Sequence, residues 1–323
     1  MASPNSKISI DRRQVFLALL FILALYVLMP QLSVFRNSWH LLGNLKPAWT
    51  LMAVGLTLTT YLFAGLTYCL LAPLRLRYRE VVVVQFAAML VNRLLPAGVG
   101  ALGANYAYLR HRRHDTTQAA TVVAVNNLLG IVGHALIVMV VLLLSSEYSR
   151  HLAAGSEHRI KSVAEVTLGV VIVAALIGLV LARHHLKRLL ATIGSQIAVY
   201  EHRPGRLSGA LISSMLLTMC NVLCLYSCML AVGVHLPFIV VILIFTFGLS
   251  TGTVTPTPGG LGGFEAGLTA GFVAYHIGGA SALAIALLFR LISYWLMLLV
   301  GIVAFIVSQR RHLFDAQKSN PVR

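Results

Sequence analysis

Three ionisable side chains stand out in this sequence because of where they lie. Glu265 is the one acid well inside a long apolar segment. Arg290 falls about ten residues into the last apolar run, near mid-membrane at 1.5 Å per helical residue. Arg93 comes three residues before Pro96, where another apolar run is broken. A charge at the bilayer centre costs about 2.5–3.5 kcal/mol on insertion scales, so a retained one marks a site by default. Glu265 has the chemistry of a proton acceptor, an ion-pair partner or a contact to an amine headgroup. It also complements the positive end of a helix dipole, a role that needs no ligand. Arginine stays protonated and requires an anion, which is either Glu265 or a lipid phosphate. Arg93 has the simpler option of reaching to the interface along its aliphatic stem.

Other arrangements carry less. Gly248-Leu249-Ser250-Thr251-Gly252 matches G-x-S-x-G, with His276 following. A nucleophile elbow needs a strand–turn–helix setting, and none is expected here. Cys220, Cys224 and Cys228 share one helix face at four-residue spacing. They read as small residues that let helices approach closely, rather than as thiolate ligands. Asn92, Asn126, Asn127, His134 and Asn221 read as interhelical hydrogen-bonding residues, and Tyr106, Tyr108 and Tyr294 as interfacial or packing residues. No H-E-x-x-H, paired-carboxylate or P-loop pattern is present. Neither a metal nor a cofactor is expected, and the chain is not expected to be an enzyme.

The elements that must position these residues follow from composition. Of 323 residues, 58% are hydrophobic and 11% charged, against about 25% charged in a soluble domain, so a water-soluble enzyme and a disordered chain are excluded. Runs at roughly 15–35, 48–72, 117–144, 163–183, 208–233 and 280–308 are long enough to cross a membrane as helices. Two further runs, 81–109 and 237–275, are interrupted at Pro96-Ala97-Gly98-Val99-Gly100 and at Pro256-Thr257-Pro258-Gly259-Gly260-Leu261-Gly262-Gly263. Proline removes a helical N–H and glycine weakens a helix, so neither run is one continuous helix. The breaks align without gaps at an offset of 162, which also carries 48–72 onto 210–234 and 118–144 onto 280–306. That pattern indicates an internal duplication.

Charge sets the orientation. The formal net charge of +16 would suggest nucleic acid in a soluble protein, but here the basic residues sit in short loops. No nucleic-acid partner is expected. Clusters at Lys7–Arg13, Arg75–Arg79, Arg110–Arg113, Arg183–Arg206 and Arg310–Arg323 all belong in the cytoplasm by the positive-inside rule. Both ends of 81–109 then lie inside, and both ends of 237–275 lie outside. The expected fold is an all-α polytopic membrane protein of two inverted repeats, each with three transmembrane helices and one re-entrant, Gly/Pro-broken hairpin. Residues 1–14 form a cytoplasmic tail, with a signal anchor starting at Val15. Residues 15–144 form the first repeat with hairpin 81–109, and 145–162 an external loop. Residues 163–308 form the second repeat with hairpin 237–275, and 309–323 a cytoplasmic tail. The rival arrangement is eight full spans, which puts the 110–115 and 183–206 clusters outside. Non-helical backbone at membrane depth survives only inside protein or beside a wet cavity, and paired breaks in two halves point to a transport site.

Pro258-Gly259-Gly260-Leu261-Gly262-Gly263-Phe264-Glu265 followed by Arg290-Leu291-Ile292-Ser293-Tyr294 resembles the lysylphosphatidylglycerol synthase transmembrane-region family. That family includes the flippase-like domain of multiple peptide resistance factors and stand-alone bacterial inner-membrane proteins. Arg93-Leu94-Leu95-Pro96-Ala97-Gly98-Val99-Gly100 resembles the first-half counterpart. The likeness covers roughly residues 15–308. It implies a lipid-translocating domain and marks Glu265, Arg290 and the Pro258–Gly263 bend as functional positions. A soluble aminoacyl-transfer domain is not expected in this chain, so the synthase activity does not carry over. Gly103 stands where the second half has Glu265, a departure that weakens any symmetric charge mechanism.

The expected function is movement of an anionic or zwitterionic phospholipid between leaflets of the bacterial inner membrane. Its headgroup site would comprise Arg93, Pro96, Gly98 and Gly100 of the first break, Pro258, Gly259, Gly260, Gly262 and Glu265 of the second, and Arg290 and Tyr294 of the last span. The alternatives are a small-solute or ion transporter of the same architecture, or a non-catalytic subunit supporting a lipid-modifying enzyme. A homodimer and a lipid-modifying enzyme partner are both compatible with this reading. A single cysteine introduced at Arg112 should react with impermeant maleimide only from the cytoplasmic face; labelling only from outside would favour eight full spans.

Overall fold

The computed structural model describes residues 45–94, 99–151, 204–255, 257–311 and 313–314. Regular structure among them is entirely helical. The elements are α1 (Pro47–Leu71), α2 (Tyr78–Leu94), α3 (Val99–His111), α4 (Thr116–His151), α5 (Pro204–Val232), α6 (Phe238–Val254), a 3₁₀ turn (Pro258–Gly260), α7 (Gly263–Ala274), α8 (Gly279–Arg290), a π-helical segment (Leu291–Leu296) and α9 (Met297–Arg310). Four stretches among the described residues are long and apolar enough to cross a membrane: Pro47–Leu71, Thr116–Val141, Pro204–Val232 and the continuous run Gly279–Arg310. The expected runs at 15–35 and 163–183 lie outside the described residues, as do Pro96 and Gly98.

Exposed aliphatic side chains such as Leu51, Ile131 and Leu299 stud the outer faces of α1, α4 and α9. In water that surface would be costly. In lipid it is neutral, because hydrocarbon solvates leucine as well as another helix does.

The two interrupted runs are helical hairpins. α2 packs on α3, and α6 packs closely on α7. Arms of 17 and 13 residues, and of 17 and 12, reach only about 25 Å and less than that. Each arm therefore falls short of the ~30 Å hydrocarbon thickness. Adding 162 to the bounds of α1, α2 and α3 gives 209–233, 240–256 and 261–273, beside α5, α6 and α7. Helix order and length thus repeat at the offset seen in the sequence.

The arms are joined by different chemistry in the two hairpins. Between α2 and α3, Gln85 Nε2 donates to Asn105 Oδ1 at 2.7 Å, and Asn92 Oδ1 accepts from the Ala101 amide at 3.3 Å. Between α6 and α7 the fit is steric. A Cβ on Gly248 would lie 2.6 Å from Leu268 Cδ2, and one on Gly271 2.9 Å from Ile244 Cγ2. The hydroxyls of Thr246, Ser250, Thr251 and Thr255 are satisfied within the hairpin by carbonyls one turn back.

Two apolar clusters organise the interior. One joins α5 (Leu225, Met229), α6 (Ile244, Phe245), α7 (Leu268, Phe272) and α8 (Ile285, Phe289). The other joins α1 (Tyr68, Leu71), α2 (Val84), α3 (Tyr108, Leu109) and α4 (Val122), closed by Leu313. α1 and α5, equivalent under the offset, pack along each other between them. Cys224 belongs to that seam, 3.2 Å from Thr57 Oγ1, as a small packing residue.

At the base of the second cluster, the loop between α3 and α4 buries His114. Its Nδ1 lies 3.1 Å from the Leu109 carbonyl, while Nε2 is buried without a partner. Burial pushes the imidazole below its ordinary range; the Leu109 and Arg112 carbonyls and the Asp115 carboxylate oppose this more weakly. Protonation would place a donor on Nε2 with nothing to accept it. The unfolded chain therefore binds a proton that the folded chain resists, so this contribution is intact above about pH 6.5 and is lost as pH falls below it. Melting in detergent between pH 7.5 and pH 5.5 should show a smaller acid-side loss in His114→Asn than in the wild-type protein.

Candidate functional site at the hairpin break

The second break is built from its backbone upward. α6 ends at Thr255, whose amide donates to the Thr251 carbonyl at 3.2 Å. Gly259 and Gly260 then both adopt φ of 65°, and Gly262 adopts 87°. These left-handed values disfavour any side chain with a Cβ. Space adds to the constraint: a Cβ on Gly260 would sit 2.6 Å from the Gly252 carbonyl oxygen, and one on Gly259 would press on the Tyr294 ring. At the start of α7, Glu265 Oε2 accepts the Gly262 amide at 2.8 Å, which satisfies a helix N-terminal N–H that has no intrahelical acceptor.

Arg290 locks this arrangement. Its Nε donates to Glu265 Oε1 at 2.7 Å. Its Nη2 donates to the carbonyls of Gly259 and Gly260 at 2.9 and 3.2 Å. Phe264 covers one side of the guanidinium, with the Cζ 4.5 Å from the ring centroid. Glu265 and Arg290 are each 7% exposed. One cation therefore neutralises one carboxylate and also ties down two carbonyls of a turn that has no helical ladder.

Arg93 arrives from the end of α2, on the first hairpin, and turns inward rather than reaching to an interface. Its Nη2 donates to the Ser293 carbonyl in the π-helical segment. Its Cζ lies 4.0 Å from the centroid of Tyr294, and the Arg290 Cζ lies 5.2 Å from the same centroid. Nη1 is buried without a hydrogen-bond partner. No carboxylate pairs with it among the described residues. α2 also touches the Pro258–Gly260 turn, so the first hairpin meets the second break here.

A cavity of about 310 Å³ opens beside the two arginines. Thr57, Thr60 and Tyr61 of α1, Gly130 and His134 of α4, and Leu217, Thr218 and Asn221 of α5 line one side. Phe245 and Leu249 of α6, Phe264 of α7, Phe289 and Arg290 of α8, Ser293, and Arg93 line the other. The charged lining residues are Arg93 and Arg290, so the wall is cationic and suited to an anion. Preformed guanidinium donors recognise phosphate and carboxylate oxygens strongly.

Of the residues expected at the site, Arg93, Gly259, Gly260, Gly262, Glu265, Arg290 and Tyr294 are brought together. Gly100 lies apart at the start of α3, where a Cβ would collide with the Val91 backbone. Its place is in the packing of the first hairpin. Pro96 and Gly98 are outside the described residues. Glu265 faces Arg290 and the turn. His134 and Asn221, read from sequence as interhelical hydrogen-bonding residues, line the cavity instead. Tyr61 and the α1 threonines carried no sequence signal, since threonine and tyrosine are ordinary in such helices.

With this geometry in view, residues 15–301 match the family described as the lysylphosphatidylglycerol synthase TM region, and the chain belongs to that family. The matched region is the family's non-catalytic, flippase-like membrane domain. The chain is also similar to a UPF0104 membrane protein of Methanothermobacter thermautotrophicus, at 33% identity over 108 residues. That stretch covers 33% of this chain and spans about a third of the relative's length, 32% of it.

If Glu265 and Arg290 act as one unit, their replacements should not add. Glu265→Ala and Arg290→Ala should each lower unfolding stability in detergent by about 3 kcal/mol or more, since each strands a buried charge. The double variant should be little worse than either single one, with a coupling of about 3 kcal/mol. Additive losses would separate the two roles.

Proposed function

We propose that the protein moves an anionic or zwitterionic phospholipid between the leaflets of the bacterial inner membrane. The headgroup passes through the cavity bounded by Arg93 and Arg290, while the acyl chains stay in the bilayer. In this reading the hairpins α2–α3 and α6–α7 are re-entrant and enter from opposite faces. The chain then forms two inverted repeats with both termini in the cytoplasm. Short hairpin arms, their recurrence at the duplication offset and the cytoplasmic bias of the basic loops support this arrangement.

The observation that carries the proposal is Arg93. Its guanidinium lies on the cavity wall with Nη1 buried and unpartnered, and among the described residues no acid stands beside it. A permanently charged donor in that position has an unmet need for an oxyanion. A phosphate crossing bare hydrocarbon would have to shed its water without compensation. A phosphate passing Arg93 exchanges water for a fixed donor, and the neighbouring charge of Arg290 adds to the attraction. Glu265 holds the turn and keeps Arg290 in place, and no role in proton transfer is assigned to it.

The test is an acyl-labelled phospholipid flip assay in proteoliposomes. Arg93→Gln should slow translocation about tenfold or more, the loss expected when a charged hydrogen bond worth about 1.5–3 kcal/mol is removed. Arg93→Lys should restore only part of it, because an ammonium does not reproduce the planar fork. Wild-type rates in Arg93→Gln protein of unaltered melting temperature would refute the proposal.

A further inference from the structure

The two sides of the cavity differ in what they can bind. One side carries both guanidinium groups. On the other, Thr60 Oγ1 donates to Leu56 O at 3.1 Å, Thr218 Oγ1 to Ser214 O at 3.3 Å, and Asn221 Nδ2 to Leu217 O at 3.0 Å. Each of these side chains has spent a donor on its own helix, which leaves the two hydroxyl oxygens and the Asn221 Oδ1 free to accept, beside one remaining Asn221 N–H. His134 adds an Nδ1 that has no partner. The far side is therefore neutral and rich in acceptors, and it faces a cationic one.

Among the described residues an ammonium group has no anchor here. Glu265 is not on the lining; Oε1 is taken by Arg290 and Oε2 by the Gly262 amide. The described residues offer no aromatic cage either, because their rings are already engaged. Phe264 stacks on Phe289 at 5.7 Å and faces Arg290, while Tyr61 stacks on Phe86 at 4.3 Å. Tyr294 is shared by both arginines. An ammonium would meet two like charges with no compensating acid, which costs several kcal/mol at close range. A hydroxyl, an uncharged donor, meets the acceptors of Thr60, Thr218, Asn221 and His134 without that repulsion. The volume equals that of roughly ten waters, enough for a phosphodiester and a short polyol.

We infer that the cavity selects phospholipids whose headgroup beyond the phosphate bears hydroxyls and no ammonium, with Asn221 and His134 as specificity-determining residues on the far side. This narrows the proposed function and rests on it. The phosphate sits toward Arg93 and Arg290, and the polyol toward Asn221 and His134.

The test measures binding to the purified full-length protein by native mass spectrometry, with dioleoyl phosphatidylglycerol, dioleoyl phosphatidylethanolamine, dioleoylglycerol and sn-glycerol 3-phosphate as probes. Phosphatidylglycerol should bind about tenfold or more tightly than phosphatidylethanolamine. Asn221→Asp puts a carboxylate on the neutral side at nearly constant shape, and should bring the two lipids within about threefold by strengthening phosphatidylethanolamine binding. Thr60→Asp gives a second variant with the same expectation, and the wild-type ratio stands by itself if neither folds. Equal binding of the two phospholipids, both well above dioleoylglycerol, overturns the selectivity and leaves the lipid reading intact. Binding of neither above dioleoylglycerol overturns the lipid reading and the selectivity together. Glycerol 3-phosphate binding as tightly as phosphatidylglycerol overturns a lipid as the source of the phosphate.

Discussion

A charge buried among apolar helices survives only if something of opposite sign or strong polarity holds it, and the Arg290–Glu265 pair meets that condition in a way that organises its surroundings. The carboxylate caps α7 through the Gly262 amide, and the guanidinium ties it to the carbonyls of Gly259 and Gly260. The glycine turn has left-handed backbone and almost no ladder of its own. Without the pair, its carbonyls would lose the buried donor that holds them. The pair is thus the fastening of a turn that has no helical ladder, and the cavity lies beside it.

The second arginine makes the asymmetry useful. Arg93 of the first hairpin and Arg290 of α8 press on the same tyrosine, yet among the described residues only Arg290 has a carboxylate. Had Gly103 been an acid like its counterpart Glu265, the first arginine would have had a matching candidate within its own half. Instead Gly103 has nothing within 4 Å of a would-be Cβ, and Arg93 turns to the Ser293 carbonyl of the other half. Among the described residues, the arginine of the second break is neutralised by a carboxylate and that of the first hairpin is not.

Much of this architecture was legible in the residues. The long helices follow from apolar runs, and the two breaks from Pro96 and the Pro256–Gly263 stretch, since proline and glycine act locally whatever surrounds them. Glu265 and Arg290 were conspicuous because charge is rare in such a sequence. Their mutual pairing was one of two options that composition left open, and geometry decides it. Other features depend on packing alone. Tyr61, Thr57 and Thr60 face the cavity only because of how α1 rotates against α5. His134 and Asn221 carry the same polarity whether they bridge helices or line a hollow. Nothing in the residues Leu291–Leu296 announces a π segment.

The π segment has its own effect on how the halves are geared. One wide turn shifts the phase of the last helix, so that stretches before and after it look toward different neighbours. Upstream, Phe289 and Arg290 address the second hairpin; downstream, Gly301 lies against the Phe86 carbonyl and Leu90 of the first. A single rod thereby meshes with both broken elements, and the Ser293 carbonyl receives Arg93 at the very point where the phase changes. The two hairpins thus share one rod, and the joint between their registers is six residues that carry no charge at all.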